Sequence, residues 1–164
     1  MLATFMRAEP ARGTRIANAG DSVPALARYF AGTWHCRGGT PAGRTLESDV
    51  VFTIMLGARW LSTEHTDVPP GRYHAFSLWP ADTARQAVLS TIYDNFGGAR
   101  RFFGAWGTDS IVWMRDTTEA GSRLESFTYR RVSDSAYWYA WHVRPAAGRP
   151  MVLGDSATCL RLPK

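Results

Sequence analysis

Short runs of alternating polar and apolar residues fill most of the chain after residue 32. Such alternation is typical of strands with one buried face, and glycine, proline or aspartate marks most of the boundaries between runs. Short connectors of this kind favour an antiparallel meander, which tends to close because open sheet edges invite aggregation. The sequence therefore predicts an all-β fold, a single antiparallel up-and-down β-barrel of about 8–10 strands. The predicted strands cover residues 33–37, 49–55, 59–66, 73–79, 87–93, 100–106, 110–115, 124–131, 136–143 and 156–162.

The first and last predicted strands allow a test of closure within the sequence. Facing residues in an antiparallel pair have residue numbers with a constant sum. If Trp34 faces Arg161, the same register brings Cys36 opposite Cys159, and these are the only two cysteines. We therefore expect these strands to pair and close the barrel. The two cysteines can form a disulfide there, although in a reducing cytoplasm we expect paired thiols.

The residues before the first strand divide into two parts. Residues 1–20 contain proline and glycine and show no sustained periodicity, which predicts a flexible N-terminal arm. Asp21 and Ser22 are residue types that cap helices, and apolar residues at helical spacing over 25–30 predict a short helix that ends before Gly32. The barrel domain is accordingly predicted to span 21–164.

Composition and charge limit the classes of function. The chain has 164 residues, of which 45% are hydrophobic and 20% charged, as is typical of one globular domain. The net charge of +5 comes mainly from scattered arginines, without the basic run or the motif of a nucleic-acid-binding protein. No apolar stretch approaches a membrane span, and the N-terminus carries no secretory signal pattern. We therefore expect a cytoplasmic monomer or homodimer whose partner is a small molecule, not nucleic acid or membrane.

The order of these features resembles the calycin superfamily, which includes lipocalins and fatty-acid-binding proteins. The shared features are the helical lead-in, the Gly32-x-Trp34 motif, the meander, and Arg161 near the end of the last strand. The resemblance implies that Arg161 packs over Trp34 in a cation–π contact. More closely, the order of the stretches 56–61, 94–98 and 123–127 resembles bacterial lipocalin-like domains of unknown function. That likeness runs from about residue 25 to residue 161 and brings no catalytic residues with it.

Nitrobindins share this overall pattern and bind haem through a histidine on the last strand. The corresponding stretch here, 154–161, contains no histidine. A haem-binding barrel of this type would therefore lack its usual ligand, although the Cys159 thiol is an alternative iron ligand. No histidine lies within four residues of another, so the sequence contains no local metal-ligand pair. We expect neither a metal nor a cofactor.

The aromatic content of 13% favours a barrel whose interior binds a small apolar or aromatic molecule. Aromatic rings on the strands would form the walls, and a few interior polar groups would orient the guest. The candidate lining residues are Tyr93, Phe103, Trp113, Tyr129, Trp138 and His142.

An alternative is a non-redox enzyme of the isomerase, cyclase or hydratase type on the same barrel. It requires a converging acid–base pair, for which Glu125 and His142 are the candidates. The sequence does not fix which face of either strand points inward. Glu125 is either buried, with a raised pKa, or directed outward and paired with a neighbouring arginine. A third alternative is an interaction module that uses an outer aromatic surface.

Overall fold

The computed structural model describes residues 24–80, 88–118 and 123–163. The predicted arm over 1–20 and the predicted capping residues Asp21 and Ser22 lie outside these ranges, so the proposed domain boundary stays a prediction. Within them, no helix has the length and apolar character of a membrane span. The elements in chain order are α1 (Ala25–Phe30), β1 (Gly32–Gly39), β2 (Thr45–Met55), β3 (Trp60–Asp67), β4 (His74–Pro80), β5 (Val88–Asp94), β6 (Ala99–Trp106), β7 (Ser110–Arg115), β8 (Glu125–Ser133), β9 (Ala136–Val143) and β10 (Val152–Arg161).

The ten strands form one closed antiparallel barrel in which each strand pairs with the next along the chain, and β1 pairs with β10. The predicted all-β fold with an up-and-down barrel and a short N-terminal helix is therefore confirmed. In the closing pair Trp34 faces Arg161 and Cys36 faces Cys159, the same register that the sequence predicts. Closure pairs the two edge strands that an open meander would expose.

β1, β2 and β10 are among the strands that extend further than the sequence predicts. β1 continues to Gly39, β2 begins at Thr45 instead of residue 49, and β10 begins at Val152 instead of residue 156. Gly38 gives the physical reason at the end of β1, because a Cβ atom there would lie 1.9 Å from the backbone oxygen of Ser156 on β10. A glycine that permits close approach of two strands belongs inside a strand, and this constraint is not visible in local sequence.

Cys36 and Cys159 form a disulfide between β1 and β10, which corrects the expectation of paired thiols. The register explains the bond, since it places the two cysteines directly opposite each other with both side chains buried inside the barrel. The Tyr137 hydroxyl lies 3.6 Å from the Cys36 sulfur. The covalent link therefore joins the two strands whose pairing closes the barrel.

Aromatic side chains fill the end of the barrel next to α1, which we call the lower end. Phe30 is fully buried, and its ring centroid lies 5.2 Å from those of Phe52 and Tyr137 and 6.2 Å from that of Trp79. Because α1 places Phe30 across this opening, the helix closes the lower end. The main hydrophobic core therefore occupies the lower half of the barrel.

Arg161 joins α1 to the two closing strands. Its guanidinium carbon lies 4.1 Å from the ring centroid of Trp34, which is the cation–π contact that the resemblance implies. The same guanidinium donates hydrogen bonds to the carbonyl oxygen of Ala31, at 2.8 Å, and to that of Tyr29. These carbonyls lie at the C-terminal end of the helix, where backbone acceptors lack helical partners. Trp34 Nε1 donates to the Phe30 carbonyl at 2.7 Å, so helix and strands form one packed unit.

Candidate ligand-binding cavity

The upper half of the barrel, at the end opposite α1, contains a cavity of about 770 Å³. Small inward-facing side chains leave this space open, among them Ser48 on β2 and Ala75 and Ser77 on β4. The connections from β1 to β2, β3 to β4 and β5 to β6 surround the mouth, where Arg44 and Phe96 are exposed. The barrel is therefore filled below and hollow above.

Alternate residues of β8 and β9 form one side of the cavity, an aromatic wall that we define as Phe127, Tyr129, Tyr137, Tyr139 and Trp141. The Phe127 ring stacks against Tyr129 at 6.4 Å and 29°, and against Trp141 at 6.5 Å and 24°. Burial raises the pKa values of all three tyrosines in this wall. Their phenols are therefore neutral at physiological pH, and the wall that they help to form carries no charge.

A cluster around Arg100 adjoins the aromatic wall, because Trp141 and Arg100 share Oε2 of Glu125 as an acceptor. Arg100 donates at 2.9 Å to both Glu125 Oε2 and the Tyr73 hydroxyl, and its Nη2 lies 3.4 Å from Asp94 Oδ2. Arg115 Nη1 donates to the second oxygen of Glu125 at 3.4 Å. Burial raises the pKa of Tyr73, and the charge of Arg100 opposes that rise. Two arginines and two carboxylates thus neutralise one another in a fixed network.

The proposed acid–base pair is not brought together. Glu125 faces inward and is only 7% exposed, but both of its oxygens are held by Arg100 and Arg115, and Trp141 Nε1 donates to it at 3.1 Å. His142 follows Trp141 in β9 and therefore points to the outer face of the sheet. Glu125 is thus buried and also paired with arginines. This arrangement differs from both alternatives considered from the sequence, which were a buried carboxyl group with a raised pKa and an outward carboxylate paired with a neighbouring arginine.

His65 and Asp67 are alternate residues of β3 and both line the cavity. His65 Nε2 lies 3.3 Å from Asp67 Oδ1, and the Tyr73 backbone N–H donates to Asp67 Oδ2 at 3.3 Å. The hydrogen bond from His65 holds the pKa of Asp67 below its usual range. Asp67 is therefore an ionised, fully engaged carboxylate.

Asp155 on β10 also faces the cavity, opposite Trp141 in the β9–β10 pair. Burial raises the pKa of this carboxyl group from the ordinary 3.8 to about 6, while the positive fields of His65 and Arg44 oppose the rise. Within the described ranges, Asp155 has no side-chain hydrogen bond and no ion pair. It therefore differs from Asp67 and Glu125, whose oxygens are engaged.

The structure places one of the six predicted lining residues, Tyr129, on the cavity. Trp113 faces inward but lies in the lower core, 5.3 Å from the Trp79 ring. The other four lie on the outer face because their neighbours in the chain face inward. These four are Tyr93 and Phe103, which are exposed, and Trp138 and His142, which are half-buried.

Several polar residues of the cavity were not predicted from the sequence, among them His65, Arg100 and Asp155. For Asp155 a signal was present, since alternation from the inward-facing Cys159 assigns Ala157 and Asp155 to the inner face. For Arg100 and His65 there was none, because no register from the sequence fixes the inner face of β3 or β6.

The cavity does not fit the haem arrangement of nitrobindins. β10 carries no histidine, and the sulfur of Cys159 is bonded to Cys36. Of the four histidines, His65 is the one that lines the cavity, and its Nε2 is hydrogen-bonded to Asp67. In the described part of the chain, no group of three His, Cys, Asp or Glu side chains is arranged to hold a metal ion.

Comparison with known proteins supports the fold alone. The sequence matches no protein-family profile and no curated protein. The crystal structure of Rv2717c from M. tuberculosis is similar, with a TM-score of 0.59 and 19% sequence identity over 85% of this chain and 99% of that one. The structure of EF1p2_mFAP2b bound to DFHBI matches with a TM-score of 0.40 and 13% identity over 84% of this chain and 97% of that one, too weakly to support an inference. The first similarity supports the barrel fold described above.

Proposed function

We propose that this protein binds a small, mostly apolar or aromatic molecule in the upper cavity of a calycin-type barrel. The observation that carries the proposal is the division of the barrel interior into a filled lower half and a hollow upper half of about 770 Å³. Binding sites for small molecules are concave, with volumes of roughly 300–1,000 Å³, and are lined mainly by apolar and aromatic groups. The cavity has both properties.

The aromatic wall and the Arg100 cluster support this function in different ways. Stacked rings supply a flat, weakly hydrated surface for an aromatic or aliphatic ligand body. The guanidinium of Arg100 is already neutralised by Asp94 and Glu125, so it leaves no strong charge to attract an anion. The pairing of Trp141 Nε1 with Glu125 fixes the indole in the same way.

The calycin assignment belongs to the proposal and is supported by features at the lower end. A short helix precedes the barrel, Trp34 lies near the start of its first strand, and Arg161 covers that tryptophan from the last strand. A cytoplasmic location and a monomeric or homodimeric state remain predictions from the sequence.

Titration with N-phenyl-1-naphthylamine, a neutral dye that fluoresces in apolar sites, tests the function. Ala75 on β4 faces the cavity and is 7% exposed, so Ala75→Trp fills part of the space. Ala105 on β6 is exposed on the outer face, and Ala105→Trp is the matched control. We expect one dye per protein, binding weakened at least about tenfold by Ala75→Trp, and no change with Ala105→Trp.

Near-ultraviolet circular dichroism checks that both variants keep the native packing. Equal dye binding by the wild-type protein and a folded Ala75→Trp variant would refute the cavity as the site. The absence of saturable binding would refute the function.

A further inference from the structure

A β-bulge lies directly before Asp155, whose side chain faces the cavity. The β9–β10 register shifts between Leu153 and Asp155, which leaves Gly154 as the extra residue. A Cβ atom at Gly154 would lie 2.3 Å from the Trp141 ring, so the glycine lets this indole pack directly against the backbone of β10. The next residue, Asp155, then faces the same side of the sheet as Trp141.

Asp155 is the carboxyl group on this cavity that lacks a partner within the described residues. Asp67 is held by a histidine and a backbone N–H. Asp94 accepts the backbone N–H groups of its own turn and pairs with Arg100. Glu125 is held by two arginines and an indole N–H. Asp155 is half-buried. A carboxylate partly withdrawn from water and without a donor is unfavourable, so a donor on a bound molecule would complete the site.

The surroundings of Asp155 favour a positively charged donor. Trp141 lies opposite it in the sheet, and Tyr139 and Tyr129 are close enough for the negative charge of Asp155 to raise the pKa values of their phenols. A carboxylate beside the negative faces of aromatic rings attracts an organic cation by charge pairing and by cation–π contact. The same carboxylate repels a carboxylate ligand, and Arg100, a cation on this cavity, is already paired.

The nearby basic side chains of the protein do not fill this role. His65 is hydrogen-bonded to Asp67, and Arg44 is exposed at the mouth of the cavity and forms no ion pair with Asp155. We propose that the molecule bound in the cavity carries a protonated amine, and that Asp155 accepts its N–H hydrogen bonds while the aromatic wall contacts its apolar body. This inference rests on the proposed function and names the chemical class of its ligand.

Three probes with the same ring system test the inference by calorimetric titration at about pH 7.5, where Asp155 is ionised. They are 2-naphthylmethylamine, 2-naphthylmethanol and 2-naphthoate, which carry a cation, a neutral group and an anion. Each is titrated into the wild-type protein, Asp155→Asn and Asp109→Asn. Asp109 lies exposed in the turn between β6 and β7 at the lower end, so Asp109→Asn makes the same chemical change far from the cavity.

We expect the amine to bind the wild-type protein and Asp109→Asn at least about tenfold more tightly than the alcohol, with the carboxylate weakest. In Asp155→Asn the preference for the amine should fall to about twofold or less, with binding of the alcohol unchanged. Equal affinities of amine and alcohol for the wild-type protein would overturn the inference and leave the proposed function intact. A preference for the amine that survives in Asp155→Asn would overturn the role of Asp155. Failure of all three probes to bind would overturn the proposed function and the inference with it.

Discussion

Replacing Asp155 with asparagine removes a carboxyl group whose charged form is destabilised by burial. The fold raises the pKa of this group from the ordinary 3.8 to about 6. At about 1.4 kcal/mol per pKa unit, the difference corresponds to a free energy of at most roughly 3 kcal/mol. Because the carboxyl group faces a cavity that solvent can enter, we expect Asp155→Asn to stabilise the protein by about 1–2 kcal/mol near neutral pH.

The stabilisation expected from Asp155→Asn depends on pH. Below the ordinary pKa of 3.8, Asp155 is protonated in both the folded and the unfolded chain, so the carboxyl group contributes no penalty. As the pH rises from 3.8 to about 6, the unfolded chain releases this proton first, and the wild-type protein loses stability relative to the variant. Above about pH 6 the full difference in unfolding free energy between Asp155→Asn and the wild-type protein remains. The groups that face Asp155 are His65 and Asp67 on β3, Arg44 before β2, and Tyr129 and Tyr139.

Urea unfolding of the wild-type protein, Asp155→Asn and Asp109→Asn across this pH range measures the effect. Other titrating groups are common to all three proteins, so the difference between two curves isolates the substituted residue. We expect Asp109→Asn to stay within about 0.5 kcal/mol of the wild-type protein. A variant Asp155→Asn that is less stable than the wild-type protein near neutral pH, or a difference that does not change with pH, would refute the reasoning.

Two further predictions concern the closure of the barrel. Replacing Cys36 and Cys159 together with alanine removes the covalent link between two residues that are 123 positions apart in the chain. We expect the free energy of unfolding, measured with urea under oxidising conditions, to fall by about 2–4 kcal/mol. An unchanged urea midpoint would contradict the disulfide. Arg161→Ala removes the cation–π contact with Trp34 and both hydrogen bonds to backbone carbonyls at the end of α1. We therefore expect the free energy of unfolding to fall by about 2–3 kcal/mol. Arg130→Ala removes an exposed cation–π contact on the outer face and should cost less than about 1 kcal/mol in the same assay; equal losses for the two arginines would argue against the closing role of Arg161.

The parts of the fold that the sequence predicts well are those that rest on local patterns or on one long-range coincidence. Alternation and turn residues locate the ten strands, and the matching positions of Trp34, Arg161 and the two cysteines predict how β1 and β10 pair. That register also orients both strands, because a tryptophan and two cysteines in facing positions mark the inner side.

The cavity was harder to predict because its strands carry suitable core residues on both faces. On β9, Trp138 and His142 alternate with Tyr137, Tyr139 and Trp141, and the pattern alone does not say which set faces inward. The structure selects the larger aromatic set, and the aromatic wall follows from that choice.

The pairing of Glu125 with Arg100, 25 residues away, could not be found from sequence neighbours either. Sequence reasoning offered it only arginines nearby in the chain, such as Arg123 and Arg130, whereas the actual partners lie on β6 and β7. A buried carboxylate in an antiparallel barrel is satisfied across strands, at separations that turn lengths and register decide.

The most direct test of the central claim is an isotope-filtered nuclear Overhauser spectrum of the labelled protein with unlabelled 2-naphthylmethylamine. The account predicts contacts between the probe and the methyl group of Ala75 and the rings of Tyr129 and Trp141, all of which line the upper cavity. Contacts with Leu89, Phe103 and Met114 instead, which are exposed side by side on β5, β6 and β7, would place binding on the outer surface and contradict the account.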